Sequence, residues 1–313
     1  MLIHPWLVVT ALSLEAAFGY PHWLYRLVRH PVVWIGGLIG LLERRLNRPE
    51  LSIAARRLLG VATLVAICAV AGAAGWAVEA ALVPGPAVAL LVVVLATCGL
   101  AQRSLYDHVA VVGKALREGD LAAARAKVGR IVGRDTGELD ADGVARAAIE
   151  SLAESFSDGV VAPAFWFLVG GLPGLFIYKA VNTADSMIGH REERWRAFGW
   201  ASARFDDLLN LIPARLSGVL IAVAGRSGWR VMLRDAGLHA SPNAGWPEAA
   251  MAGALCRTLG GPAAYEGAVL QRPTLGDGPA PTATDLDRAL RLYLIACGLL
   301  WALLIAGGLA WRR

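Results

Sequence analysis

Residues 149–190 read I-E-S-L-A-E-S-F-S-D-G-V-V-A-P-A-F-W-F-L-V-G-G-L-P-G-L-F-I-Y-K-A-V-N-T-A-D-S-M-I-G-H, and residues 203–215 read A-R-F-D-D-L-L-N-L-I-P-A-R. These segments place acids, amides and bases directly beside apolar runs long enough to enter a bilayer. Ionisable groups at such a boundary are costly unless they face a site or a water-filled cavity. We therefore predict that the region 149–215 is the active-site core and that the rest of the chain supports it.

The composition of the whole chain is typical of a membrane protein. Of its 313 residues, 56% are hydrophobic and 18% are charged, whereas soluble domains carry about 25% charged residues. We expect an all-α, multi-pass helical integral membrane protein, built as a single membrane-embedded domain over 1–313. The net charge of +5 suits basic cytoplasmic loops. Nucleic-acid binding is not expected, because no basic run is interleaved with aromatic residues.

Several apolar segments are candidates for membrane spans. They are 58–82, 87–101, 208–225 and 289–310, and the shorter segment 3–18 is either a span or an interfacial helix. Pro84-Gly85-Pro86 is predicted to be a tight turn that makes 58–101 a transmembrane hairpin. Seven arginines between Arg26 and Arg57 place their connector in the cytoplasm by the positive-inside rule, and the final W-R-R does the same for the C-terminus.

Residues 102–158 are predicted to form a helical cytoplasmic segment. Apolar residues recur at helical spacing in 103–118, 121–132 and 144–156. Between the last two helices lies I-V-G-R-D-T-G-E-L-D (131–140), where Asp135 and Thr136 are either helix caps or ligands.

The apolar run 159–181 is interrupted by G-G-L-P-G at 170–174. Glycine and proline at membrane depth are tolerated where the backbone lines a cavity or is covered by neighbours. A single unbroken span would also put the arginines of 191–204 outside, against the charge rule. The central segment is therefore predicted to be broken or re-entrant.

Glu150, Glu154 and Asp158 are spaced four apart and would share one helical face. Like charges at this spacing repel, so a compensating cation is expected, and Mg²⁺ held by carboxylates and phosphate oxygens is a natural fit. The alternative is a solvated helix face on which Arg146 offsets Glu150.

A second polar face follows at Lys179, Asn182, Asp185 and Ser186. Lys179 could neutralise a phosphate or carboxylate, with Asp185 binding metal or orienting the lysine; the alternative is a lysine that snorkels from a helix end. The later segment adds Asp206, Asp207, Asn210 and Arg215. Adjacent aspartates cannot face the same way on a helix, so at most one is expected to face a given ligand.

Phosphoryl or acyl-phosphate chemistry fits these residue types better than acyl transfer by a serine and a histidine. The chain lacks a P-loop, a dinucleotide-binding glycine motif, H-E-x-x-H and G-x-S-x-G. Its four cysteines form no C-x-x-C pair and are typical of small buried hydrophobes.

Long motifs in collinear order make the chain resemble the CobD/CbiB family, the membrane-associated adenosylcobinamide-phosphate synthases of cobalamin biosynthesis. They are H-P-V (30–32), I-V-G-R-D-T (131–136), A-I-E-S-L-A-E (148–154), D-G-V-V-A-P (158–163), F-W (165–166), Y-K-A-V-N-T-A-D-S-M-I-G (178–189), F-G (198–199), A-R-F-D-D-L-L-N-L-I-P-A-R (203–215) and S-P-N-A-G-W-P-E-A-A-M-A-G-A-L (241–255). The sequence departs from the family pattern at Glu15, Gly19-Tyr20-Pro21 and Ser155, and no role is assigned to these positions.

The resemblance implies an ATP-dependent amide ligation with Mg²⁺ as the companion of ATP. Adenosylcobyric acid would be joined to (R)-1-amino-2-propanol or its O-phosphate, with an acyl phosphate as the simplest intermediate. It also implies an enzyme of the cell inner membrane whose active site faces the cytoplasm and which contacts the lipid bilayer, and it allows contact with other membrane-bound late enzymes of the pathway.

The residue roles follow from the two polar faces and the family motifs together. We assign catalysis to Lys179, Asp185, Glu154 and Asp207; substrate binding to Arg134, Asp135, Thr136, Asn182, Ser186, Asp206, Asn210, Arg215 and Asn243; and metal binding to Glu150, Glu154, Asp158 and Asp185. The alternative function is that of an AmpE-like inner-membrane sensor without ligase activity. A corrinoid transporter is a third class, but it would need paired repeats that the sequence does not contain.

Overall fold

The structure, a computed structural model, describes residues 4–20, 26, 29–80, 85–190, 192–265 and 267–311. Helices dominate it. They are α1 (Pro5–Phe18), α2 (Pro31–Leu46), α3 (Ile53–Ala80), α4 (Pro86–Thr97), α5 (Gln102–Arg117), α6 (Leu121–Val128), α7 (Ala141–Phe156), α8 (Ala162–Ile188), α9 (Glu193–Arg196), α10 (Trp200–Leu209), α11 (Leu211–Gly225), α12 (Trp229–Asp235), α13 (Gly245–Leu255) and α14 (Ala283–Ala310). A π-helical turn, Ser157–Val161, separates α7 from α8, and a 3₁₀ turn, Ala236–Leu238, follows α12.

The only strands in the described ranges are four very short ones. They are β1 (Leu259–Gly260), β2 (Ala263–Tyr265), β3 (Ala268–Leu270) and β4 (Thr274–Leu275). β1 pairs antiparallel with β4, placing Leu259 opposite Leu275, and β2 pairs antiparallel with β3. Glycine and proline residues in 271–284 predict a loop, and this stretch contributes the strand β4. The all-α fold class is confirmed.

The helix starts have identifiable caps. Asp120 accepts a hydrogen bond from Ala123 N at 2.9 Å, and Asp140 accepts one from Gly143 N at 2.7 Å. Side-chain acceptors of this kind satisfy amides that have no partner inside the helix. The cap of α7 is therefore Asp140. Of the two alternatives for Asp135, the structure does not show the helix cap, because its carboxylate accepts from Gly267 N at 2.8 Å.

The membrane character predicted from composition is confirmed. Within the part of the chain that the structure describes, four helical stretches are long and apolar enough to cross a bilayer: Ile53–Ala80, Pro86–Arg117, Ala141–Ile188 and Ala283–Ala310. The pair α10 and α11, bent by 49°, would provide a fifth span. The segment 3–18 becomes α1, a shorter apolar helix of 14 residues. The predicted turn at Pro84 lies outside the described residues.

The chain divides into two compact units. Unit 1 comprises Met1–Ala101, Ala162–Asn210 and Leu304–Arg313, and unit 2 comprises Gln102–Val161 and Leu211–Leu303. In unit 1, Ile39, Ile67, Tyr178 and Phe198 belong to one buried hydrophobic cluster. In unit 2, α7 is buried along most of its length. That 1–313 acts as one domain stays a prediction.

The predicted break in the central segment is confirmed at Gly171. This residue lies within α8 and has φ 64° and ψ −156°, a conformation essentially restricted to glycine. The helix resumes at Leu172, whose amide donates a 2.8 Å hydrogen bond to the Glu79 carboxylate from α3. Gly75 of α3 lies so close that a Cβ there would be 2.5 Å from Pro173 N. The break therefore fixes where the second half of α8 begins.

Candidate functional site

Some of the predicted site residues lie in two clusters, each within one unit. The α8–α10 cluster of unit 1 consists of Lys179, Asn182, Asp185, Asp206 and Asn210. The Glu150 cluster of unit 2 consists of Arg134, Glu150, His239, Glu248 and Arg272. Each cluster contains a buried carboxylate, which amides hold in the first cluster and guanidinium groups hold in the second.

In the α8–α10 cluster, a buried carboxylate is held by two amides. Asn210 Nδ2 donates to Asp206 Oδ2 at 2.9 Å, and Asn182 Nδ2 lies 3.4 Å from Asp206 Oδ1. The hydroxyl of the fully buried Tyr178 donates to Asn210 Oδ1 at 3.1 Å. Asp206 and Asn210 are only 8% and 2% exposed. Asp206, Asn182 and Asn210 thus satisfy one another's hydrogen bonds without a ligand.

Lys179 supplies the positive charge of this cluster. Its Nζ donates to Asn182 Oδ1 at 3.2 Å and lies 5.9 Å from the centroid of the Tyr178 ring. Burial, and then the charge of Lys179, lower the pKa of His30, which places this imidazole near the lysine. His30 also caps α2 through Nδ1, which accepts from Val32 N at 3.3 Å. His30 therefore has a structural role as the N-cap of α2.

The two adjacent aspartates separate as expected. Asp206 is buried in the cluster, whereas Asp207 is 29% exposed and lies 3.6 Å from Arg204. Asp185 lies close enough to Asp206 for their charges to repel. Mg²⁺ is usually held through one or two carboxylates together with phosphate oxygens. The carboxylates of Asp185 and Asp206 are of this chemical type, and Mg²⁺ binding stays a prediction.

In the Glu150 cluster, a buried carboxylate is held by guanidinium groups. Glu150 Oε2 accepts from Arg134 and, at 2.9 Å, from Arg272 Nη2; Oε1 accepts from Gly260 N at 2.7 Å. Arg134 is 8% exposed in its side chain and Glu150 4%. Arg272 lies 122 residues away from Glu150 in the chain. Glu150 thus anchors the segment that carries β1 and β4 to helix α7.

Glu248 and His239 complete this cluster, and the sequence did not single them out. Nε2 of His239 lies 3.6 Å from Glu248 Oε1, while Glu248 Oε2 is buried with no hydrogen-bond partner among the described residues. Burial raises the pKa of Glu248 well above its ordinary value, with Glu150 and Glu154 adding to the shift. Burial lowers the pKa of His239, and the nearby charge of Arg272 lowers it further. Both groups are therefore favoured in their neutral forms.

The carboxylate face predicted from 150, 154 and 158 does not assemble as one metal site. No group of three or more His, Cys, Asp or Glu side chains placed to hold a metal occurs in the described ranges. Glu150 is buried between two arginines, Glu154 is exposed and Asp158 is half-buried. The charge of Glu150 is already balanced, which argues against its predicted metal role. The metal roles of Glu154 and Asp158 stay predictions.

The remaining predicted ligands make local contacts. Arg215 donates to Leu211 O at 2.7 Å, lies 3.5 Å from Asn243 Oδ1 and stacks 4.7 Å from the Trp246 ring centroid. Thr136 donates to a backbone carbonyl at 3.2 Å, and the exposed Ser186 donates to Asn182 O at 2.9 Å. Their substrate contacts stay predictions.

Comparison with known proteins identifies the family. The family described as CobD/Cbib protein matches residues 8–293 of the chain. The chain belongs to the CobD/CbiB family. The cobalamin biosynthesis protein CobD of Rhodobacter capsulatus is 51% identical over 292 residues, covering 92% of both chains. That of a Sinorhizobium species is 47% identical over 312 residues, covering 96% of this chain and 97% of its own.

A third CobD/CbiB relative, the cobalamin biosynthesis protein CobD of Brucella suis, is 47% identical over 312 residues, with 96% of this chain and 95% of the relative covered. No solved structure matches the chain. Family membership spans both units, so both clusters belong to the matched region. Cobalamin biosynthesis is the process for which these relatives are named, and it is where we place the chain.

Proposed function

We propose that the chain catalyses an ATP-dependent amide ligation in cobalamin biosynthesis. Adenosylcobyric acid supplies the carboxylate, and (R)-1-amino-2-propanol or its O-phosphate supplies the amine. The product is adenosylcobinamide or its phosphate. The proposal combines the family membership of the chain with the chemistry of the α8–α10 cluster.

The observation that carries the proposal is the hydrogen-bonded set of Lys179, Asn182, Asp206 and Asn210. A free carboxylate resists attack by an amine, because its negative charge repels the nucleophile and oxide is a poor leaving group. Transfer of a phosphoryl group from ATP to that carboxylate releases ADP and creates a good leaving group. Attack by the amine then forms the amide bond and expels phosphate.

Each residue of the cluster has a task in this chemistry. Lys179 neutralises negative charge on the phosphoryl group as it transfers. Asp185 and Asp206 would hold Mg²⁺, which when bound neutralises phosphate charge and orients ATP. Asn182 and Asn210 fix the Asp206 carboxylate through the hydrogen bonds described above. Catalysis here consists of positioning and electrostatic stabilisation.

The cellular setting is part of the same proposal. The candidate spans place the chain in a membrane, and we assign it to the inner membrane with its ATP site on the cytoplasmic side, where ATP is available. Contact with other membrane-bound late enzymes of the pathway would pass the corrinoid directly between active sites.

The test is a reconstituted ligation. Purified protein in detergent or lipid discs is given adenosylcobyric acid, ATP and Mg²⁺, with aminopropanol or its phosphate, and mass spectrometry follows the amide product and ADP. We expect amide and ADP in equal amounts with at least one amine, and none without ATP. Absence of product with both amines, together with binding of a cell-wall fragment, would favour the AmpE-like sensor instead.

A further inference from the structure

In unit 2, Arg146 lies on the same helix as Glu150, whose carboxylate is shared by two other arginines. Arg134 and Arg272 both donate to Glu150. Arg146 lies one helical turn before Glu150 on α7, and its buried Nε has no hydrogen-bond partner in the described part of the chain. Other arginines of unit 2 are paired with carboxylates: Arg234 with Asp235 and Asp277, and Arg257 with Asp285.

The backbone beside Arg146 is a glycine turn with room for a small group. Gly261 has φ +80°, and a Cβ placed on it would meet nothing closer than the Thr274 methyl at 3.6 Å and Arg146 Nη1 at 3.7 Å. The preceding Gly260 donates its amide to Glu150. Arg146 and the Glu150 carboxylate therefore border the same glycine turn, where a ligand can approach the backbone closely.

The charges at this turn leave an excess of positive charge. Arg134, Arg146 and Arg272 carry three positive charges, and Glu150 carries one buried negative charge. Burial shifts the pKa values of Glu248 and His239 toward their neutral forms, and Glu154 is exposed to solvent. A buried donor without an acceptor, such as Arg146 Nε, is costly. A ligand with two negative charges would balance the set.

We propose that Arg134, Arg146 and Arg272 form a binding site for a phosphate group. Guanidinium groups bind phosphate through paired, charge-assisted hydrogen bonds, which accounts for arginine in place of lysine. Glu248 adds a buried oxygen, Oε2, that has no hydrogen-bond partner within the described residues. Phosphate binding at this site does not depend on the ligase function; only the source of the phosphate, a phosphorylated amino alcohol or a nucleotide, rests on that proposal.

The test measures binding to the full-length protein by titration calorimetry. The probes are inorganic phosphate, aminopropanol phosphate, aminopropanol and a non-hydrolysable ATP analogue. The variant is Arg146→Met, and the matched control is Arg130→Met, which removes an exposed arginine of the same unit. Because Arg146 makes no ion pair in the described structure, its loss should leave folding intact; Arg146→Lys serves as a second variant.

We expect Arg146→Met to weaken the binding of at least one phosphate-bearing probe about 10- to 100-fold, because a charge-assisted hydrogen bond is lost. Arg130→Met should change no Kd by more than about twofold, and aminopropanol should bind all variants alike. If only the affinity for aminopropanol phosphate falls, the site binds the phosphate of the amino alcohol. If only the affinity for the ATP analogue falls, the site binds a phosphate of the nucleotide. Equal affinity of wild type and Arg146→Met for every phosphate probe overturns the proposal. So does failure of wild type to bind any of them.

Discussion

The α8–α10 cluster and the Glu150 cluster bury a carboxylate in opposite ways. In unit 1, two amides hold Asp206, and a second acid, Asp185, adds negative charge beside it. In unit 2, two guanidinium groups hold Glu150, and Arg146 adds positive charge. Amides satisfy hydrogen bonds without cancelling charge, whereas arginines do both. The first cluster is therefore suited to a cation and its phosphate ligand, and the second to an anion.

The largest effect should come from the acid in unit 1 that is held by amides. Asp206→Asn removes the charge and sets one amide donor against another, so we expect ligation to fall about 100-fold or more. Asp207→Asn changes the half-buried neighbour paired with Arg204. Because Asp207 lies outside the set held by amides, we expect a cost under about fivefold, against the catalytic role that the sequence predicts for it. Turnover of both variants checks this. Equal losses would mean that both aspartates reach the reacting groups and that burial does not distinguish them.

The next effect concerns the acid in unit 2 that is held by arginines. Glu150→Gln leaves two buried guanidinium groups without a counter-charge, and we expect unfolding to become easier by about 3 kcal/mol. Glu154→Gln, an exposed position on the same helix, should change stability by about 0.5 kcal/mol or less. Denaturant unfolding in micelles measures the free energy of unfolding of both variants. If both variants instead raise the Mg²⁺ requirement equally at unchanged stability, the carboxylate face binds metal after all.

A smaller effect is expected for a change at the helix break, which should alter the α8–α10 cluster but not the Glu150 cluster. Gly171→Ala forces a side chain into a backbone conformation suited to glycine and against the Glu79 carboxylate, which costs about 2 kcal/mol. Because the break fixes the start of the half-helix that carries Lys179, ligation should fall while phosphate affinity in unit 2 is unchanged. Gly170→Ala is the matched control, since a Cβ there meets nothing within 4 Å. A parallel loss of both activities would show that the clusters are not independent of the break.

The smallest effect is the pH dependence of Glu248. Its raised pKa means that the folded protein keeps this proton at pH values where the unfolded chain has lost it. The contribution of Glu248 to the free energy of unfolding is therefore greatest below its ordinary pKa of 4.5, and it falls as the pH rises toward the pKa of the folded state. Glu248→Gln removes this slope, so its advantage in melting temperature over wild type should grow between about pH 5 and pH 8. A constant difference across this range would mean that Glu248 is ionised in the fold.

Much of the framework follows from local sequence. The apolar runs predict the spans, and G-G-L-P-G predicts the break that Gly171 makes. The spacing of Lys179, Asn182 and Asp185 predicts a shared helix face, and Lys179 does bond to Asn182. The inequality of Asp206 and Asp207 also follows from helix geometry. These features depend on residues a few positions apart, where periodicity is informative.

The partners of Glu150 were decided only by tertiary structure. Helical spacing grouped Glu150 with Glu154 and Asp158, but folding brings Gly260 and Arg272 to it from 110 and 122 residues away. Arg272 lies in a stretch that the sequence indicates only as a loop. Periodicity tells on which side of its own helix a residue lies, but not which distant segment covers that side. The sequence by itself therefore determined the membrane spans, the helix break and the polar faces, while long-range packing decided which distant groups pair with Glu150.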